Sequence, residues 1–189
     1  MKDKTYYTAR LEIRPAEFSD YDFWVLACEL SPFKKSKFDD EAPIKRSRKY
    51  FQTMINRHKS IAREDKCYVW WFFDRFTGEL IGYSDIFILT RANLQKANLG
   101  YHIFNYYWRK GYAREALTML TKKALLDLKL NCLEAVIDLD NLPSRSLVRK
   151  LGFRKEGLRK NYLYENKKWL DQMIYSKTRF DCRLPMLKP

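Results

Sequence analysis

The segment around Gly111 combines residue types that can bind an anion. A strand-like pattern gives way here to basic and small residues that open a helical pattern, namely Trp108, Arg109, Lys110, Gly111, Tyr112, Ala113 and Arg114. Backbone N–H groups at a helix start have no partner within the helix, and the positive end of the helix dipole reinforces them. Because Gly111 lets the backbone come close to a ligand, the turn is a candidate phosphate site. An ordinary solvated helix start is the alternative interpretation.

A second segment places an amide and a hydroxyl at the end of a predicted strand. Asn141 follows an apolar strand pattern, Pro143 suits a first helical turn, and Gly152 is a typical helix stop. The needs of a short helix explain Pro143 and Gly152, but they do not require both Asn141 and Ser144. These two residues are therefore a second candidate for chemistry.

Together the two segments resemble the GNAT superfamily of N-acetyltransferases. The resemblance rests on three motifs in order along the chain, which are Gly100-Tyr101-His102-Ile103, residues 108–117, and Asn141-x-x-Ser144 followed by Leu151-Gly152-Phe153. It is closest to the RimJ/RimL group, which acetylates protein N-terminal amines, and it covers roughly residues 8–180. Three spaced motifs in the right order are more specific than any one of them.

The resemblance implies acetyl-CoA as cosubstrate and no metal. In this family the coenzyme pyrophosphate lies against a Gln/Arg-x-x-Gly-x-Gly/Ala turn, which falls on residues 108–113 with Trp108 at the first position. The preceding strand supplies backbone that holds the pantetheine and polarises the thioester carbonyl. The implied coenzyme-binding residues are Tyr101, His102, Ile103, Trp108, Arg109, Lys110, Gly111, Tyr112, Ala113, Arg114, Asn141, Ser144 and Lys150.

Aminolysis of a thioester needs a neutral amine, donors for an oxyanion and a proton for the departing thiolate. Many family members present a Tyr four residues after the Asn-x-x-Ala/Ser position, where this chain has Val148. The resemblance places Ser144 beside the coenzyme sulfur, so Ser144 is the candidate general acid, with a helix-cap hydroxyl as its alternative role. Candidates for the base are Glu115, Glu156, Asp85 and His102. A structural role for each of them, with a water chain as base, is the alternative.

We therefore expect acetyl transfer to a primary amine, with a protein or peptide N terminus of the ribosomal-protein type as acceptor. A small-molecule amine is the alternative within the same chemistry. A basic RNA- or ribosome-binding module without catalysis is the alternative outside it, because cations and aromatics interleave near the C terminus. The net charge of +14 disfavours polycationic acceptors such as polyamines. The resemblance places the acceptor site at the loop 33–45 and the two helices around it.

Apolar periodicity predicts an α+β domain with a mixed sheet and helices against it. With the resemblance this becomes a GNAT-like fold, a twisted, mostly antiparallel sheet of about six to seven strands with about four helices. Strands are predicted at residues 7–14, 67–73, 80–89, 97–107 and 133–139, with further strands to about 180. Helices are predicted from Ser19 or Asp20 to Pro32, from a cap at Ser47, over 113–130 and over 143–151.

Composition limits the number of domains, the metal and disulfide content, and the kind of partner. The chain has 189 residues, 46% of them hydrophobic, which predicts one globular domain over residues 1–189 rather than a disordered chain. Four dispersed cysteines predict neither a zinc site nor a disulfide framework. Residues 141–189 hold 13 basic and 4 acidic side chains, which suits an anionic partner. With no secretion signal or long apolar run, we expect a cytoplasmic monomer or homodimer without membrane contact, and possible association with the ribosome.

Overall fold

A computed structural model describes residues 4–31, 33–38, 46–165 and 167–187. The strands in these ranges are β1 (Tyr6–Tyr7), β2 (Leu11–Arg14), β3 (Cys67–Asp74), β4 (Leu80–Thr90), β5 (Lys96–Ile103), β6 (Cys132–Asp138), β7 (Arg154–Glu165) and β8 (Lys168–Thr178). The α-helices are α1 (Tyr21–Leu30), α2 (Arg48–Arg63), α3 (Tyr112–Asp127) and α4 (Leu142–Lys150).

The strand order in the sheet is β1-β2-β3-β4-β5-β6-β8-β7, with one parallel pair, β5 with β6. The predicted α+β class with a mixed, mostly antiparallel sheet is confirmed. The sheet has eight strands instead of six or seven, in part because the strand predicted over 7–14 is a hairpin of β1 and β2. Thr8 folds the chain there, since its N–H donates to the Leu11 carbonyl and its hydroxyl accepts from the Leu11 N–H, both at 2.9 Å.

The chain forms two compact units. The first comprises Met1–Phe87 with Gly100–Leu120, and the second comprises Ile88–Leu99 with Thr121–Pro189. A single domain over residues 1–189 stays a prediction. Within the described residues, none of the helices has both the length and the hydropathy of a membrane span.

The first unit is built on antiparallel pairing of β1 to β4. Leu11 and Ile13 of β2 are fully buried, opposite Asp74 and Phe72 of β3. Helix α2 begins where Ser47 was predicted to cap it, since the Ser47 hydroxyl accepts from the Tyr50 N–H at 3.2 Å. The predicted stop at Pro32 and residues 39–45 of the predicted acceptor loop lie outside the described residues.

The strand predicted over 97–107 is too long. Strand β5 ends at Ile103, and Asn105–Tyr107 form a 3-10 turn. Two side chains stabilise this break, because Trp108 Nε1 donates to the Ile103 carbonyl at 2.6 Å and Asn105 Nδ2 donates to the Phe33 carbonyl at 2.7 Å. Apolar periodicity continues through the turn, so the sequence pattern alone did not show where the strand stops.

The second unit joins β6 to β8 and β8 to β7 in antiparallel pairs. Its apolar core includes Leu125, Leu133, Ala135, Val148 and Ile174, all nearly fully buried. Helix α4 ends at Lys150, and Gly152 follows two residues later with a φ of 83°, which suits the left-handed stop that the sequence predicted.

Candidate active site

The turn before α3 has backbone geometry that leaves its inner side open. Arg109 and Gly111 both have left-handed backbone, with φ of 63° and 82°. A Cβ added at Gly111 would meet only one heavy atom of the described residues within 4 Å, Nη2 of Arg10 at 3.5 Å. The first-turn N–H groups of α3 follow directly, so the turn can bring backbone donors to an anionic group.

Cations surround this turn and stay accessible. Arg109, Lys110 and Arg114 are exposed. Lys110 Nζ lies over the rings of Tyr106 and Tyr107, at 4.6 and 5.4 Å from their centroids. Contact with the ring faces positions the ammonium beside the turn, where it adds to the positive potential at the helix start.

Trp108 holds the turn against the end of β5. Its indole N–H donates to the Ile103 carbonyl, and its ring is half-buried. The residue that departs from the usual Gln or Arg of the family motif is therefore an anchor for the turn. Its bulk and indole donor were visible in the sequence, but its acceptor was not.

Glu115, a predicted base candidate, is held by three hydrogen bonds in the first turn of α3. Its carboxylate accepts from the Thr8 hydroxyl at 2.6 Å, the Arg10 backbone N–H at 2.8 Å and Arg10 Nε at 2.7 Å. Burial by itself raises the pKa of Glu115, but the bonds from Thr8 and Arg10 outweigh burial and hold the pKa below its ordinary value. These contacts favour a structural role that ties the β1–β2 hairpin to α3.

The strand β5 residues expected to face the thioester lie close to β4. A Cβ at Gly82 would strike the carbonyl oxygen of His102, so only glycine fits there. Phe104 N–H donates to the Ile81 carbonyl at 3.0 Å, and the Ser84 hydroxyl donates to the Gly100 carbonyl at 2.6 Å. These contacts hold the chain from Gly100 to Phe104 against β4, and the role of the Tyr101, His102 and Ile103 backbone toward an oxyanion stays a prediction.

A cavity of about 670 Å³ opens in the first unit. Its floor is one face of β3, β4 and β5, and its walls come from α1 and α2. The side chains that matter below are Tyr50, Arg57, His58, Trp71, Tyr83, Asp85, His102 and Phe104. The volume is in the range of small-molecule sites.

Asp85 is the one carboxylate among the described residues that line this cavity. It lies against Gly100, where any Cβ would clash with the carboxylate. His102, a further base candidate, packs between Tyr83 and Phe104, with ring centroids 5.4 and 5.2 Å away. The cavity therefore offers a single negative group in an aromatic setting.

Three titratable groups of the cavity, Cys28, Cys67 and His58, are held neutral near pH 7. Burial raises the pKa of both the Cys28 and Cys67 thiols to about 11. Burial, together with the neighbouring charge of Arg57, lowers the pKa of His58 to about 4. None of these three groups is suited to act as a nucleophile or a base near neutral pH.

Helix α2 has two apolar surfaces with different surroundings. Phe51 and Ile55 are buried in the core, whereas Tyr50, Met54 and His58 line the cavity. The cavity itself was not predicted.

The remaining predicted residues lie in the second unit. Asn141 Oδ1 caps α4 by accepting from the Ser144 N–H at 3.2 Å, and Lys150 is exposed in the last turn of that helix. Glu156 is exposed on β7 and accepts from the Ser176 hydroxyl. The N-cap of α4 is therefore Asn141, and the roles of Ser144 as acid, Glu156 as base and Lys150 as coenzyme contact stay predictions. In the described ranges, no group of three or more His, Cys, Asp or Glu side chains could hold a metal ion.

Comparison with known proteins finds N-acetyltransferases. Residues 10–154 match the family described as acetyltransferase (GNAT) domain. The uncharacterized N-acetyltransferase p20 of Bacillus licheniformis is 30% identical over 176 residues, which are 92% of this chain and 95% of that protein. The ribosomal protein uS5-alanine N-acetyltransferase of Escherichia coli is 26% identical over 128 residues, or 68% of this chain and 66% of that protein.

Among solved structures, Mycobacterium smegmatis RimJ in complex with CoA-disulfide is similar. It superposes with a TM-score of 0.74 at 25% identity, covering 90% of this chain and 83% of that one. The ribosomal-protein-S5-alanine acetyltransferase of Vibrio fischeri superposes with a TM-score of 0.75 at 20% identity, covering 93% and 97%. At 20% identity, this second similarity shows only that the two proteins share a fold.

Proposed function

Because this chain belongs to the GNAT family of acetyltransferases, we propose that it transfers the acetyl group of acetyl-CoA to the α-amine of a protein or peptide N terminus. The observation that carries the choice of acceptor is the cavity with Asp85 as its one carboxylate among the described lining residues. One carboxylate suits one ammonium group, whereas a polyamine needs several. The E. coli relative acts on the alanine of a ribosomal protein, which supports a protein acceptor.

The turn at residues 108–114 fits the coenzyme pyrophosphate. Gly111 leaves space for a phosphate beside the backbone, and the exposed side chains of Arg109 and Arg114 add positive charge. Acetyl-CoA supplies the activated thioester, and this chain supplies donors, charge and a fixed position for them.

Asp85 binds the acceptor ammonium and takes its proton. The neutral amine then attacks the thioester carbonyl and its nitrogen loses a second proton. The carbon–sulfur bond breaks and the coenzyme thiolate takes up one proton, so that one proton is released overall. Asp85 is half-buried among aromatic side chains, and this less polar setting strengthens its attraction for the ammonium. Ser144 is the proposed proton donor to the thiolate, on the family resemblance alone.

The test is an acetylation assay with N-terminal peptides, in which the release of free thiol from acetyl-CoA is measured. Asp85→Asn should lower kcat/KM by about a hundredfold or more, while coenzyme binding by calorimetry stays as in the wild type. The matched control is Asp22→Asn, since Asp22 is 77% exposed and pairs with Arg48 away from the cavity. Gly111→Trp should abolish coenzyme binding.

Acceptor choice is tested in the same assay with spermidine and a lysine side-chain amine beside the peptides. Faster acetylation of either compound than of every peptide would overturn the N-terminal assignment. Full activity of Asp85→Asn would remove Asp85 from the mechanism.

A further inference from the structure

Two side chains of opposite charge line the cavity, and they come from different secondary-structure elements. Of the described lining residues, Asp85 from the β4 floor is the acid, and Arg57 from the α2 wall is the guanidinium. The two come from different elements, so a ligand that touches both must extend from the sheet toward the helix. A cavity of about 670 Å³ has room for such a ligand.

The charged side chains of helix α2 are all basic. Its sequence, RKYFQTMINRHKSIAR, carries Arg48, Lys49, Arg57, Lys59 and Arg63 and has no Asp or Glu. The cavity wall that α2 forms is therefore positive, and no acid within the helix can neutralise it at the i+3 or i+4 positions.

Other cations of α2 are engaged elsewhere. Arg48 pairs with Asp22 at 3.0 Å, and Lys59 Nζ lies over the Phe18 ring at 4.9 Å. Arg57 is exposed, lines the cavity, and has no acidic partner among the described residues. A guanidinium is a planar fork that favours a carboxylate, and here it can receive one from a ligand.

Resting on the proposed function, we propose that the acceptor is an acidic N terminus, whose α-ammonium binds Asp85 and whose Asp or Glu side chain at residue 2 binds Arg57. An extended chain advances about 3.3–3.6 Å per residue, so a neighbouring side chain reaches the helix wall while the amine stays on the sheet. The net charge of +14 adds long-range attraction for acidic protein surfaces.

The inference is tested with three peptides that differ only at residue 2, as Ala-Glu, Ala-Gln and Ala-Lys, each with the same neutral continuation and an amidated C terminus. The wild type should favour the Glu peptide over the Gln peptide by about fivefold to tenfold in kcat/KM, mainly through KM. Arg57→Gln should bring this ratio to about one, and Arg57→Glu should reverse it toward the Lys peptide.

The matched control is Lys49→Gln, which removes an exposed cation of the same helix that does not line the cavity. This variant should retain the preference for Glu. Equal loss of preference in Lys49→Gln and Arg57→Gln would show a general field effect and overturn the Arg57 contact.

Two further outcomes separate this inference from the proposed function. Equal rates for the Glu, Gln and Lys peptides would overturn the acidic preference and leave N-terminal acetylation standing. Absence of acetylation of all three, with spermidine or free alanine acetylated instead, would overturn both. Acetylation of free alanine in preference to the amidated Glu peptide would assign Arg57 to an α-carboxylate, which also contradicts the peptide acceptor.

Discussion

Replacement of Glu115 decides between a structural and a chemical role for this carboxylate. In Glu115→Gln, one oxygen can still accept from the Thr8 hydroxyl and the Arg10 N–H, and the bond from Arg10 Nε is lost. Because the Arg10 and Glu115 side chains are 39% and 20% exposed, loss of this ion pair should cost about 1 kcal/mol of unfolding free energy.

Glu115→Ala removes all three hydrogen bonds. The Arg10 N–H and the Thr8 hydroxyl then bind only water or have no acceptor, so we expect a loss of about 2–3 kcal/mol in unfolding free energy. In both variants, kcat should stay within about tenfold of wild type, since general-base removal costs about a hundredfold or more.

The assay is urea unfolding followed by circular dichroism, with steady-state kinetics on the same preparations. The pKa of Glu115 is lowered in the folded state, so its stabilising contribution is complete above its ordinary pKa of 4.5 and is lost as the pH falls through the lower folded value. The stability difference between wild type and Glu115→Ala should therefore be full at pH 7 and shrink below pH 4.5. A large fall in kcat at unchanged stability would refute the structural role and restore Glu115 as a base.

Three further predictions concern stability. Arg179→Met should lower the unfolding free energy by about 3 kcal/mol in urea titrations, because the buried guanidinium donates to the Leu125 and Pro185 carbonyls at 2.7 and 2.6 Å; a loss under about 1 kcal/mol would contradict this. Gly82→Ala should lower the melting temperature, since its methyl group would meet backbone that cannot move aside; Ser84→Ala is the milder control. Folding lowers the pKa of His58, so the fold is favoured while this imidazole is neutral, above about pH 6.5. This contribution to the unfolding free energy, on the order of 3 kcal/mol, is lost as the pH falls toward 4. His58→Gln should flatten the pH dependence of stability over that interval, and an unchanged slope would exclude His58 as its source.

Local chemistry explains most of what could be predicted. The Ser47 cap and the Gly152 stop each depend on backbone conformation and hydrogen bonds within a few residues. The end of β5 was mispredicted because Trp108 and Asn105 interrupt the strand with side-chain bonds that apolar periodicity does not encode.

The sequence by itself determined the fold class, the glycine turn before α3 and the family, because these depend on residue types at short, fixed spacings. Only the tertiary structure decided where each candidate carboxylate lies. Glu115 meets Arg10 across 105 positions of the chain, whereas Asp85 lies in a cavity lined by two helices and three strands. Strand register and helix packing set such contacts, and a single sequence specifies them only through the whole folded chain.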